Sequence, residues 1–225
     1  ARAIDAATGK DLWQTRLPGE FRDQFLQSSF LVVDRTAIVL AGSLFGLDMA
    51  DGSILWQQGD ADAGSLHSSP VPWQSPQGTV VISNMPGGKT IAVKPDDGSL
   101  VWAIDSGAGH ATPLVSGDKL ITYGSSRKKG LRCYQLDLAT PQHLWTFQGT
   151  ADSGSSPVAM DGNVFVQGER RLACVALETG KPHWNTLLDL NQPRYTSLLA
   201  ADGKILYGFD GLLVFRASEK RFEPL

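Results

Sequence analysis

Two cysteines, Cys133 and Cys174, are all that 225 residues supply, so no disulfide framework holds this chain together. Long apolar runs are missing too: no stretch reaches the roughly 18 consecutive apolar residues that a membrane-crossing helix needs. Nor is there an excess of one charge. A net charge of -3 and an isoelectric point near 5.8 give no basic field that would gather nucleic acid or an acidic membrane surface. No segment sustains a 3.6-residue apolar period, which predicts negligible helix. The common hydrolase and nucleotide signatures, G-x-S-x-G, H-E-x-x-H and the P-loop, are absent as well.

Glycine and proline, at 24 and 12 residues, suit many short strands joined by tight turns. The chain also repeats itself. AIDAATGKDLW (Ala3 to Trp13) recurs as LFGLDMADGSILW, TIAVKPDDGSLVW, CYQLDLATPQHLW and ACVALETGKPHW, closing on Trp56, Trp102, Trp145 and Trp184. The tryptophans are 43, 46, 43 and 39 residues apart. A period near 40 is the mark of a repeat architecture.

Between these phrases lies a second one, clearest in SSPVAMDGNVFVQG (Ser155 to Gly168), with two apolar runs around a polar turn. Asp161-Gly162, Asp202-Gly203 and Gly117-Asp118 are hairpin turns, since glycine accepts the positive φ they require. Each unit is therefore a four-stranded antiparallel meander, the blade of an all-β propeller. The expected blades cover about 26–60, 65–106, 110–150, 154–190 and 195–225, with 1–17 the outer half of another. The last is degenerate, with Phe222 where a tryptophan might stand. A propeller hides its sheet edges by closing, so the half blade predicts a piece of a seven- or eight-bladed ring.

The phrase A-x-D-x-x-T-G-K-x-x-W resembles the docking motif of the PQQ-like (pyrroloquinoline quinone repeat) β-propeller family. That resemblance implies that Trp13, Trp56, Trp102, Trp145 and Trp184 dock between adjacent blades against a small residue of a neighbouring strand. Counting ten back gives Ala3, Gly46, Ala92, Gln135 and Cys174, four of the five small. Cys133 and Cys174, at offsets of 12 and 10 from their tryptophans, do not fall at equivalent positions and read as buried small apolar side chains. The quinoprotein dehydrogenases of the family imply PQQ, calcium and a vicinal cysteine pair, and this chain has no Cys-Cys dipeptide. The resemblance is to the non-enzymatic, BamB-like branch, implying a periplasmic or otherwise extracytoplasmic scaffold that binds protein partners and carries no cofactor. The alternatives are a fragment of a PQQ- and calcium-dependent dehydrogenase and a small-ligand or carbohydrate sensor.

Candidate site residues come from one register. Two residues before the Ser or Thr that opens each inner strand stand Gln27, His67, His110, Gly154 and Tyr195. With Gln192, Arg194, Arg22 and Asp23 they form a polar channel mouth suited to an anion, a peptide or a small ligand. His67 and His110, from adjacent blades, supply two metal-type ligands without a third, so no metal is assigned. Arg127, Lys128 and Lys129 in SSRKKG form a charged loop tip that offers a dock for an acidic partner. Trp73, outside the repeating register, either fills an inner-strand gap or anchors a partner.

Overall fold

The computed structural model describes residues 1–19, 28–59, 67–190, 196–209 and 211–225. Its first sheet pairs β1 (Arg2–Ile4) with β2 (Asp11–Gln14). Three antiparallel meanders follow: β3 (Leu31–Val33) to β6 (Ile54–Gln58), β7 (Val71–Ser75) to β10 (Leu100–Asp105), and β11 (Leu114–Ser116) to β14 (Gln142–Phe147). The fifth sheet runs from β15 (Val158–Met160) to β18 (Pro182–Leu187), and the sixth holds β19 (Leu198–Ala201), β20 (Lys204–Gly208) and β21 (Leu212–Arg216). One 3₁₀ turn, Pro86–Gly88, is the only helical element among the described residues. The fold is a β-propeller. The inner strands β7, β11, β15 and β19 follow one another side by side.

The sixth sheet departs from the four-stranded expectation. After β21 the chain makes a single bridge, Phe215 to Pro224, instead of a fourth strand. Its turn, like that of the fourth sheet, lacks the glycine that builds the other outer hairpins. Phe222 stacks on Phe215 and on Trp184 of the fifth sheet, with ring centroids 5.3 and 5.8 Å apart.

Glycine shapes the outer hairpins. Gly9, Gly52, Gly98 and Gly180 all have φ between 68° and 75°, a region closed to most side chains. Each N–H returns to the carbonyl four residues earlier, at 2.8–3.0 Å. Acids in these turns cap backbone groups: Asp5 accepts from the Thr8 hydroxyl and N–H at 2.6 and 2.7 Å, which holds its carboxyl below the ordinary range. At the inner hairpins both residues of Asp161-Gly162 and Asp202-Gly203 have positive φ, as a type I′ turn demands.

The core is divided among the seams between sheets. Because strand residues alternate faces, Leu120 packs with Trp102 toward the third sheet while its neighbour Ile121 packs with Val164 toward the fifth. Both faces of the middle strands are thus buried, and each blade is stable only against its neighbours.

Candidate functional site

Each docking tryptophan stands on an outer strand beside a register shift, opposite a small residue of its own sheet: Ala3, Gly46, Ala92, Cys133 and Cys174. Gln135 is therefore not the partner of Trp145; it faces Gln142. The fourth sheet's outer hairpin, carrying Pro141 in place of the Thr-Gly turn, separates Cys133 and Trp145 by twelve positions, whereas Gly46 and Trp56 are ten apart. The two cysteines thus hold equivalent places. Both are free, and burial pushes both thiols up to about 12.

From its own sheet each indole reaches the next one. Trp13, Trp56, Trp145 and Trp184 donate from Nε1 to the carbonyls of Met49, Pro95, Leu177 and Ser218 at 2.8–2.9 Å. Gly52, Gly98 and Gly180 of the following hairpin lie flat on the rings of Trp13, Trp56 and Trp145, where any Cβ would overlap the indole. Trp102 is the exception. Its Nε1 has no acceptor among the described residues, and the next hairpin is the longer one that carries Pro141 in place of the turn glycine. Trp73 is buried as well, at 3% exposure, and packs in the same seam as Trp102, which settles it as a gap filler.

A second set of links surrounds the inner-strand entries. The N–H of Ser29 donates to Ser69 Oγ, that of Ser69 to Thr112 Oγ1, that of Thr112 to Ser156 Oγ and that of Ser156 to Ser197 Oγ, at 2.9–3.1 Å. These hydroxyls form a continuous belt across five blades. The Ser/Thr register recurs in all five units of the sequence, and that recurrence is the signal of its structural role.

The channel-mouth register lies two residues before the belt. Gln27, Arg194 and Tyr195, together with Arg22, Asp23 and Gln192, fall outside the described residues. His67 and His110 are brought together, with ring centroids 4.8 Å apart and planes tilted by 46°. Burial first, and the neighbouring His67 second, hold the His110 imidazole below its ordinary value. Among the described residues no group of three His, Cys, Asp or Glu side chains is placed to hold a metal.

This has a pH consequence. A depressed histidine pKa means the unfolded chain takes up a proton that the folded chain refuses. The contribution is fully present above the ordinary histidine pKa of about 6.5 and is lost as pH falls from there toward the lower folded value. Melting temperature is expected to drop between pH 7 and 5, and more shallowly in His110→Asn. A slope unchanged by the substitution would assign the acid sensitivity elsewhere.

The basic loop is divided in its roles. Arg127 is engaged: its guanidinium meets Glu169 of the fifth sheet at 2.5 and 2.7 Å, a link between two neighbouring blades. Lys128 and Lys129 stay exposed and have no ion pair among the described residues. They share the face of the propeller that carries the histidine pair, since inner-strand entries and second-to-third strand loops lie at one end of every blade.

Fold and docking array together define a β-propeller of the PQQ-like repeat class. The chain belongs to the family described as outer membrane protein assembly factor BamB, whose profile matches residues 2–186 and 129–221. BamB of Yersinia pestis is 25% identical, over 81% of this chain and 51% of that protein. The chain therefore spans about half the length of this curated relative. Among solved structures, BamB from Moraxella catarrhalis superposes with a TM-score of 0.75 at 19% identity, covering 98% of this chain and 68% of that one. The quinohemoprotein alcohol dehydrogenase ADHIIG of Pseudomonas putida HK5 gives 0.67 at 14% identity, covering 94% and 43%. Both likenesses are of fold. No helix among the described residues is long and apolar enough to cross a membrane.

Proposed function

We propose that this chain is part of a non-catalytic, extracytoplasmic propeller that binds protein partners through the face carrying His67, His110, Lys128 and Lys129. The observation that carries this reading is the family match over residues 2–186 and 129–221, to proteins named as outer membrane assembly factors. The architecture supports it. Docked indoles and the hydroxyl belt fix the blades, so the loops at one end present a surface that needs little ordering on contact. Arg127, tied to Glu169, orients the loop, while the two lysines beside it supply the charge that an acidic partner surface would meet.

The test uses the full-length parent protein. Copurification of its partner is expected to weaken in Lys128→Glu/Lys129→Glu and to become more salt-sensitive in the parent than in the variant. Recovery of the same partner by both proteins would remove this loop from the interface. Addition of PQQ and calcium is expected to give neither quinone absorbance nor dye-linked alcohol oxidation; clear turnover would overturn the non-catalytic reading.

A further inference from the structure

The seam between the third and fourth sheets is built differently from its neighbours. At the other described seams the indole of one sheet is capped by a carbonyl of the next. At this one the facing hairpin has lost its glycine and gained two residues, and Trp102, only 4% exposed, is left without an acceptor. A groove of about 420 Å³ opens there, within the range of about 300–1,000 Å³ typical of ligand sites. Leu138 of the lengthened hairpin forms one wall. Val101, the residue before Trp102, forms another with Val80 and Pro95. The groove lies among the hairpin turns, at the opposite end of the blades from the histidine pair.

Its polar groups have a definite sign. Asp34 from the second sheet and Asp96 and Lys94 from the third line it, two carboxylates to one ammonium. The hydroxyls of the wall are already committed: Ser75 Oγ donates to the Gly78 carbonyl and accepts from Gln77 N–H, and Thr79 Oγ1 donates to Gln74. Recognition is therefore left to the charged groups, the Gln77 side-chain amide and the aliphatic wall. Asp34 and Asp96 are exposed and able to receive a cation from solution, while Lys94 favours a ligand that brings an acceptor as well.

We propose that this groove binds a peptide segment in which a lysine or arginine stands next to an aliphatic side chain, the cation between Asp34 and Asp96 and the aliphatic group against Val101 and Leu138. Backbone carbonyls of such a segment supply the acceptor that Lys94 faces. The site is separate from the loop face proposed to meet a protein partner, and neither reading depends on the other.

Indole N–H signals of the ¹⁵N-labelled protein test it, with an acetylated, amidated Leu-Arg-Leu peptide as the probe. Titration is expected to shift the Trp102 signal, which is next to the groove wall, and to leave Trp145 and Trp184 unmoved. Asp34→Asn/Asp96→Asn is expected to weaken binding about tenfold or more, the loss of a charge-assisted contact. Asparagine tolerates the positive φ of 50° at position 34, so the variant keeps its turn. No shift with Leu-Arg-Leu, equal binding of Leu-Glu-Leu, or unchanged affinity in the double variant would each overturn the proposal. Spermidine binding as tightly as the peptide would overturn it too, because that ligand has no aliphatic side chain to place on the wall.

Discussion

Trp56→Phe is expected to cost clearly more stability than Trp102→Phe. Both substitutions keep an aromatic ring in a buried slot, the parent residues being 7% and 4% exposed. Only the first removes a hydrogen bond, the 2.8 Å contact from Nε1 to the Pro95 carbonyl. Leaving that carbonyl unpaired costs about 1–3 kcal/mol beyond the loss of ring volume, a term that Trp102 does not carry. Alanine at either position should cost about 3–5 kcal/mol, because the cavity opens in a seam and two blades lose their contact at once. Urea unfolding of the four variants measures the order. Equal losses for the two phenylalanine variants would mean that docking is all packing and that the indole N–H adds nothing.

The second large effect is expected at Gln167, which is 2% exposed in β16. Its side-chain amide donates to the Thr196 carbonyl at 3.1 Å and to Ser155 Oγ, while its Oε1 accepts from Tyr207 OH at 3.2 Å. Its backbone carbonyl accepts from Tyr123 OH at 3.0 Å. Residues of the fourth, fifth and sixth sheets thus converge on one residue, the fourth through its backbone carbonyl and the others through its side chain. Gln167→Leu orphans the Tyr207 hydroxyl and the Thr196 carbonyl, each costing about 1–3 kcal/mol. Tyr207→Phe in the same background should recover part of the loss, since it removes a stranded donor. A double variant no better than the simple sum of its singles would break the proposed coupling.

The sequence revealed the units because the constraints inside a blade are local. Gly52 and Gly180 stand where a backbone bends to positive φ, and Trp56 and Trp184 stand four residues later, so a fixed spacing carries the geometry. Constraints between blades were legible only where they kept that spacing. His67 and His110 share a register and do meet. Cys133 was displaced in the count because its hairpin is longer, although the strand pairing puts it opposite Trp145. Arg127 belongs to an ion pair whose other half, Glu169, lies 42 residues on and has no counterpart in the repeating phrases. The groove was invisible for a related reason: its lining comes from turns of three different sheets, Asp34, Asp96 and Leu138 among them, and these positions share no register of the repeating phrases.

The belt of Ser29, Ser69, Thr112, Ser156 and Ser197 has a consequence for how such a molecule can change over time. Every link joins a backbone amide, which all residues but proline possess, to a short hydroxyl at a fixed position on the adjoining unit. The joint is therefore indifferent to which two units it connects, and serine and threonine serve alike. Duplicating or deleting one unit recreates the same joint at the new boundary without any compensating substitution. Specialised seams, such as the one that lost its glycine, can then diverge singly while the ring keeps its common coupling.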